Sequence, residues 1–352
     1  MSKSRTGWWL VVATIVAALA LVAAGCGGNG EEQAGDGQET EAPAGQGEQI
    51  RAAVFLASAA NTYWQAALEG VREAADEAGG VDIQVFDAKF DTNLQKNQLR
   101  DALVSQQFDV WFIGPNDGSA LVPEIEEAIG QDIKVGCTLV PCGRDIRATE
   151  VQIDGVVAEA SIPFYENGRH LGELTVQACE GKDPCKVVWL PGLPSLPLEQ
   201  ARTDGLRSVV DEEASIEIVS TQGGGYLAEP ALEATQDILQ ANPDTSVIVS
   251  SGDQMIVGAE QAVRAAGKEG DVALIGNGAT VDGVQAIKEG RWFASAAYLP
   301  RTEARMVAEL LFQAARGEDI TGRFIDPLEA AGGTDALITK ENADDFKPEF
   351  QG

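Results

Sequence analysis

The sequence predicts an α/β protein made of two doubly wound parallel-sheet lobes. Three observations predict it. Short apolar runs alternate with amphipathic stretches from residue 51 to residue 288. The alternation is completed once, pauses, and starts again. The chain has 352 residues, 44% apolar and 23% charged, enough for two cores of ordinary globular composition. Strands apolar on both faces and separated by helices form a parallel sheet covered on both sides. Two such units in series make two open sheets.

The elements follow in order. Arg51–Ala57 is an apolar strand ending in small residues. Tyr63–Ala78 has helical spacing, with Ala67, Leu68, Val71, Ala74 and Ala75 on one face, and Gly79-Gly80 stops it. Asp82–Phe86 is a strand, Asn93–Ser105 a helix, Val110–Ile113 a strand, Ala120–Ile129 a helix and Ile133–Cys137 a strand. The second unit has strands at Lys186–Leu190, Ile216–Val219, Ser246–Val249 and Val272–Ile275. Its helices are Leu198–Val210, Pro230–Leu239, Gln254–Ala266 and Val281–Lys288, with Asn242-Pro243-Asp244 as a stop. The alternation then breaks. Trp292–Ala297 is a strand, Pro300–Ala315 a long amphipathic helix, and Arg323–Leu328 and Ala336–Ile338 are short strands. A chain ending this way crosses back between the units. The expected division is residues 50–155 with 299–325 in an N-terminal lobe, and 156–298 with 326–352 in a C-terminal lobe. Ligands of open parallel sheets sit outside the carboxyl ends of the strands, so two facing sheets make that edge a cleft.

The front of the chain reads as an address. Lys3 and Arg5 precede an apolar run of 17 residues, Trp8–Ala24, and then Gly25 and Cys26. Basic, apolar, small is the order of a secretory signal. A run of this length also fits an uncleaved membrane anchor. Ala23-Ala24-Gly25-Cys26 resembles the bacterial lipobox, with Ala23 where Leu is usual. The resemblance implies a lipoprotein signal peptide over residues 1–25 and lipidation of Cys26. Residues 26–49 form an acidic tether. From Asn29 to Gln49 no large apolar side chain occurs, so burial cannot offset the entropy of ordering it. As a coil its ends lie about 25 Å apart.

Charge excludes several functions. Lys and Arg number 25 against 55 Asp and Glu, a net charge of −30. Loss of the two cations Lys3 and Arg5 leaves −32. Such a chain repels nucleic acid and anionic lipid surfaces. The single histidine, His170, rules out schemes needing two. Four cysteines follow Cys26: Cys137, Cys142, Cys179 and Cys185. An even count in an exported chain argues for disulfides, and the spacings favour Cys137–Cys142 and Cys179–Cys185 among three possible pairings. A zinc site of four thiolates is the rival. The five residues between Cys179 and Cys185 exceed the usual spacing of such sites. The expectation is no metal and no cofactor.

Five stretches of the chain, taken in order, resemble those of one known family. Ala53-Val54-Phe55-Leu56-Ala57-Ser58-Ala59-Ala60-Asn61-Thr62-Tyr63-Trp64, followed by Gly70, is similar to their first strand and helix. Ile113-Gly114-Pro115-Asn116-Asp117 resembles their Pro-x-Asp loop, and Gln200-Ala201-Arg202-Thr203-Asp204-Gly205-Leu206 their Arg-x-x-Gly helix. Ser251-Gly252-Asp253-Gln254-Met255-Ile256-Val257-Gly258 resembles their Asn-Asp-x-x-Ala-x-Gly segment. Gly276 to Gly283, Gly290 and Leu299-Pro300 resemble the closing elements. The family they resemble is that of the ribose-binding-type (type I) periplasmic proteins of ABC importers, and the resemblance spans about residues 50–330. It implies two lobes joined by three hinge strands, a closing cleft, and delivery of a small solute to an ABC permease by a monomer outside the cytoplasmic membrane.

Carried over residue by residue, the resemblance makes Asn61, Tyr63, Trp64, Asn116, Asp117, Arg202, Tyr226, Asp253, Gln254, Asn277 and Tyr298 the candidate ligand contacts. A sugar or polyol suits them, since aromatic planes cover C–H faces while Arg, Asn and Asp satisfy hydroxyls. The chain also departs from the family. Thr138-Leu139-Val140-Pro141-Cys142 replaces an Asp-Arg pair, Gly252 an Asn, Gly278 an Asp, Tyr298 a Gln, and Pro163-Phe164 the hinge Asp-Asn. These losses make the pocket roomier and more apolar, and a furanose signal or an amine is an alternative ligand. An exported hydrolase using Asp117 and Asp253 is the alternative from another class, although no known catalytic pair is spelled out. Bland readings stand beside the site. Tyr63 and Trp64, about 100° apart on a helix, should not be equally buried. Arg202 should lie near solvent, outside either core, so that its removal spares folding. Asp253 also suits a helix cap.

Overall fold

A computed structural model describes residues 49–332 and 336–352. The signal segment, Cys26 and all but the end of the tether lie outside the described residues. The first part of the chain runs β1 (Ile50–Leu56), α1 (Thr62–Ala78), β2 (Val81–Asp87), α2 (Thr92–Ser105), β3 (Val110–Ile113), α3 (Gly118–Gly130), β4 (Lys134–Thr138) and β5 (Ala158–Ala160). There follow α4 (Phe164–Ala178), β6 (Cys185–Leu190), α5 (Pro197–Val210), β7 (Ile216–Thr221), α6 (Ala228–Ala241), β8 (Val247–Ser250), α7 (Asp253–Ala265), β9 (Ala273–Gly278), α8 (Val281–Lys288) and β10 (Ala294–Ala297). The chain closes with α9 (Pro300–Ala315), β11 (Arg323–Ile325), α10 (Pro327–Ala330) and β12 (Leu337–Thr339).

Two six-stranded sheets result, ordered β11-β5-β4-β3-β1-β2 and β12-β10-β9-β8-β6-β7. All pairings are parallel except β10 with β12. Each sheet is buried on both faces, which is why its central strands read as continuous apolar runs. In β1, Val54 and Leu56 join the core under α1 and α9, while Ala53 and Phe55 join the core under α2 and α3. In β6, Val188 and Leu190 pack under α6 and α7, whereas Val187 and Trp189 face α4 and α5.

The sheets locate the crossings. The chain passes from the first sheet to the second after β5, returns after β10, and crosses again after β11. Because β5 pairs with β4 and β11, the first crossing falls beyond Ala160, not at the expected 155/156 division. Ala158-Glu159-Ala160 is too short and too polar to stand out as a strand, and the apolar alternation also did not delimit α4. The expected strand Arg323–Leu328 ends at Ile325. Asp326 accepts from the Leu328 and Glu329 amides at 2.9 and 3.2 Å, and Pro327 starts a short helix. Cys137 lies at disulfide distance from Cys142, and Cys179 from Cys185, with Cα–Cα separations of 6.0 and 5.6 Å. Among the described residues no helix is long and apolar enough to cross a membrane.

Candidate ligand cleft

The carboxyl ends of both sheets face each other across a cleft. It encloses about 600 Å³ of space not filled by atoms, part of it open to solvent. The first lobe contributes Ala57 after β1, Phe90 after β2, Pro115 and Asn116 after β3, and Leu139 and Val140 after β4. The second contributes Leu196 after β6, Tyr226 after β7, Ser251 and Gly252 after β8, Asn277 in β9 and Tyr298 after β10. A doubly wound sheet places its ligand at this edge.

Of the expected contacts, Asn61, Tyr63, Trp64, Asn116, Arg202, Tyr226, Gln254, Asn277 and Tyr298 line the cleft. Asn61 is committed on both sides. Its Oδ1 caps α1 by accepting the Tyr63 amide at 2.9 Å, and its Nδ2 donates to the Tyr226 carbonyl of the other lobe at 3.1 Å. Tyr63 and Trp64 are both buried, at 7% and 3% exposure, against the expectation that one would be freer. The first turn of α1 is enclosed on two sides. Trp64 lies against Gly114, while the Tyr63 ring meets Tyr298 and Phe350 edge-on at 5.9 Å each. The Tyr63 hydroxyl donates to Glu303 Oε1, which also accepts from Thr138 Oγ1 at 3.0 Å. Burial, reinforced by the charge of Glu349, raises the Glu303 carboxyl well above its ordinary range.

Arg202 sits at the centre of a polar network in the second lobe. Its Nε donates to Asn167 Oδ1 at 2.8 Å, its Nη1 to Glu199 Oε1 and, at 3.4 Å, to the Tyr226 hydroxyl, and its Nη2 to the Tyr298 hydroxyl at 3.3 Å. Asn167 and Asn277 exchange amide hydrogen bonds at 3.0 and 3.1 Å. A close helix crossing makes this possible. A Cβ on Gly168 would strike the Arg202 carbonyl, and one on Gly205 the Tyr165 carbonyl, so glycine at both positions lets α4 and α5 touch backbone to backbone. Arg202 is only 3% exposed and its partner Glu199 is fully buried. The solvent-near arginine expected from sequence is therefore corrected to a buried ion pair. Burial alone would lower the Arg202 pKa; the Glu199 carboxylate outweighs it and holds it raised. Burial and then Glu199 push the Tyr226 hydroxyl well above its ordinary value.

Asn116 differs from these. It is 2% exposed, lines the cleft, and neither Oδ1 nor Nδ2 has a partner, while its own backbone N–H is held by Gln95 Oε1 at 2.9 Å. The buried Ser251 hydroxyl, also in the lining, is likewise unpartnered. Buried polar atoms left open cost stability unless something fills them.

Two expected contacts fall elsewhere. Asp117 caps α3, accepting the Ser119 and Ala120 amides at 3.0 and 3.4 Å. Asp253 turns into the second lobe. It accepts from the Thr280 amide and hydroxyl at 2.8 and 2.9 Å and from Ser295 Oγ at 2.7 Å. Burial raises its pKa against those donors. The two carboxylates share no cavity, which removes the basis of the hydrolase alternative. Sequence reasoning missed Phe90, Leu139, Val140, Leu196, Leu198 and Phe350. Phe90, Leu139 and Tyr226 reach the cleft from left-handed backbone, with φ of 59°, 64° and 58°. Only the Gly223-Gly224-Gly225 run before Tyr226 signals such a turn. The strain, about 1 kcal/mol or more per residue, accompanies loops bent to aim a side chain.

Two α/β lobes with a cleft at the carboxyl ends of both sheets make the type I periplasmic binding protein architecture. Residues 52–319 match the periplasmic binding protein domain family, and the chain belongs to it. This is a family of substrate-binding transport proteins, not of enzymes. The chain is 24% identical to the ribose import binding protein of Bacillus subtilis, covering 76% of this chain and 83% of that one. It is 28% identical to the D-ribose/D-allose-binding protein of Pseudomonas aeruginosa, covering 71% and 77%. A Mycobacterium smegmatis protein in complex with β-D-fucofuranose shares the fold, with a TM-score of 0.72 at 23% identity over 84% of this chain and 93% of that one.

Proposed function

We propose that this chain captures a small neutral sugar or polyol for an ABC importer. The observation that carries this is the pairing of the open Asn116 amide with aromatic cleft walls. An amide offers two donors and an acceptor, which match adjacent hydroxyls, and Tyr63, Trp64, Phe90 and Tyr226 offer planes to C–H faces. Of the nearby carboxylates, Glu199 is ion-paired with Arg202, and burial holds the Glu303 carboxyl toward its uncharged form. An amine would find no free countercharge among them. The ribose and allose relatives support the same class.

The chain is held outside the cytoplasmic membrane by a lipid on Cys26, its tether lets it reach the permease, and it works as a monomer. The crossings at 161–163, 298–299 and 326 serve as hinges. Calorimetry and thermal unfolding with D-ribose, D-allose, D-fucose and myo-inositol test the ligand class. One of them at 100 times its dissociation constant should add about 2.7 kcal/mol to the folded state. Saturable binding of an amine alone would refute it. For the anchor, Cys26→Ser should move the protein from membrane to soluble fraction, and no change would argue against lipidation.

A further inference from the structure

The C-terminal tail touches both lobes. It belongs to the second through the antiparallel pairing of β12 with β10, through Ala343 and Phe346 in that lobe's core, and through the Val281 amide, which donates to the Phe350 carbonyl at 2.8 Å. It reaches the first through Phe350, whose ring joins the Tyr63 core, lines the cleft and is 6% exposed. One residue earlier, Glu349 grips the start of α9. Its Oε2 accepts the Arg301 and Thr302 amides at 2.9 and 3.1 Å, and its Oε1 accepts the Thr302 hydroxyl.

That grip has a local cause. The residue preceding α9 is Leu299, whose side chain cannot accept from the open amides of the first turn, and Pro300 removes only one of them. Glu349 supplies the missing acceptor from outside the helix, and a carboxylate at a helix N-terminus is favoured by the helix dipole. With Glu349 fastened and the Phe350 carbonyl held by Val281, the Phe350 side chain is fixed between Tyr63 and the turn at Gly278.

Resting on the reading of the cleft as a sugar or polyol site, we propose that the tail completes that site, with Phe350 as a specificity-determining wall and Glu349 as the positioning residue that holds it. The ring fills space that a bulkier ligand would need. A tight wall discriminates a one-carbon difference by about tenfold or more. Removing the ring should therefore shift preference toward the larger sugar.

The test compares the full chain with Phe350→Ala, Glu349→Ala and the double variant, titrated with D-ribose and D-allose. The expected result is a ratio of affinities shifted about tenfold toward D-allose in Phe350→Ala, a shift of the same sense in Glu349→Ala, and no further shift in the double variant, since Glu349 acts through Phe350. An unchanged ratio in Phe350→Ala, with melting unaffected, overturns the proposal. Phe350→Leu, which keeps an apolar group, guards against a simple folding defect and should give an intermediate ratio. If the wild type binds neither of these two nor D-fucose nor myo-inositol, the reading of the cleft fails separately. Amide exchange at Arg301 and Thr302 then judges the tail: faster exchange in Phe350→Ala supports the coupling of wall and clasp, and unchanged exchange overturns it.

Discussion

Arg202 and Asn116 behave differently although both line the cleft. Arg202 is already paired, and removing it leaves Glu199 as a buried carboxylate whose Oε2 has no partner at all. Truncating one member of a buried pair costs about 3–5 kcal/mol. Arg202→Ala should therefore lose stability as well as ligand affinity, seen as a lower denaturation midpoint. Arg202→Lys should rescue neither, because one ammonium cannot reach Asn167, Glu199 and Tyr298 together. Asn116→Ala should do the opposite. Its side chain bonds nothing in the protein, so melting should hold or rise while affinity for the bound sugar falls by about tenfold, the worth of a hydrogen bond or two. Calorimetry and thermal unfolding on the same preparations separate the two patterns; equal melting losses would mean Asn116 is structural. The sequence signalled Arg202 through its motif but did not fix its burial. The i,i+3 spacing of Glu199 and Arg202 was the available clue, and surface helices show it as often.

At the scale of elements, the loop closed by Cys137 and Cys142 carries Leu139 and Val140 into the cleft. Beneath it, on β5, the fully buried Glu159 accepts the Cys142 amide at 3.2 Å through Oε2, and its Oε1 has no partner. Burial pushes its pKa up from 4.5 to about 8, against the pull of that amide. A folded-state pKa above the unfolded one means that this group's contribution is full below about pH 4.5 and is lost as pH rises through about 8. Wild type should lose melting temperature from about pH 5 to 8 more steeply than Glu159→Gln; parallel curves would count against the assignment. Cleaving the loop, by Cys137→Ser with Cys142→Ser, should cost about 2 kcal/mol of stability. It should also weaken binding, since Leu139 keeps its left-handed backbone only inside a closed loop; unchanged affinity would mean that the loop is held by packing alone. Most elements were legible because apolar period and helix stops agreed. β5 escaped because a three-residue strand with a central Glu carries no period, and its Glu is read as surface when it is core.

At the scale of the whole molecule the order of motifs was legible and the state of closure was not. Contacts across the cleft come from residues far apart in sequence. Gln254 Nε2 donates to Thr62 Oγ1 at 3.0 Å, Arg147 Nη2 to Asp204 Oδ2 at 2.9 Å, and the Phe90 and Tyr226 rings lie 5.6 Å apart. Beside them an apolar lip joins Val140 of the first lobe to Phe164, Leu198 and Ala201 of the second. The lip should carry most of the direct closing energy. An exposed ion pair such as Arg147–Asp204, half open to water, contributes at most about 1 kcal/mol, whereas burying one leucine side chain contributes about 1.5–3. Opening would return Leu198 to water, and a sugar that contacts both lobes adds to the same closed state, so closure is where ligand and fold are linked. Solution scattering should show a smaller radius of gyration with a saturating bound sugar than without it. Leu198→Asp places a charge in the lip, where closing would have to desolvate it. This variant should stay expanded at the sugar concentration that compacts wild type, and bind it more weakly. Raising salt should change wild-type closure little, because the lip is apolar and the exposed Arg147–Asp204 pair contributes little. Compaction of Leu198→Asp to the wild-type radius at that concentration would place the closing energy elsewhere, in the hinges themselves.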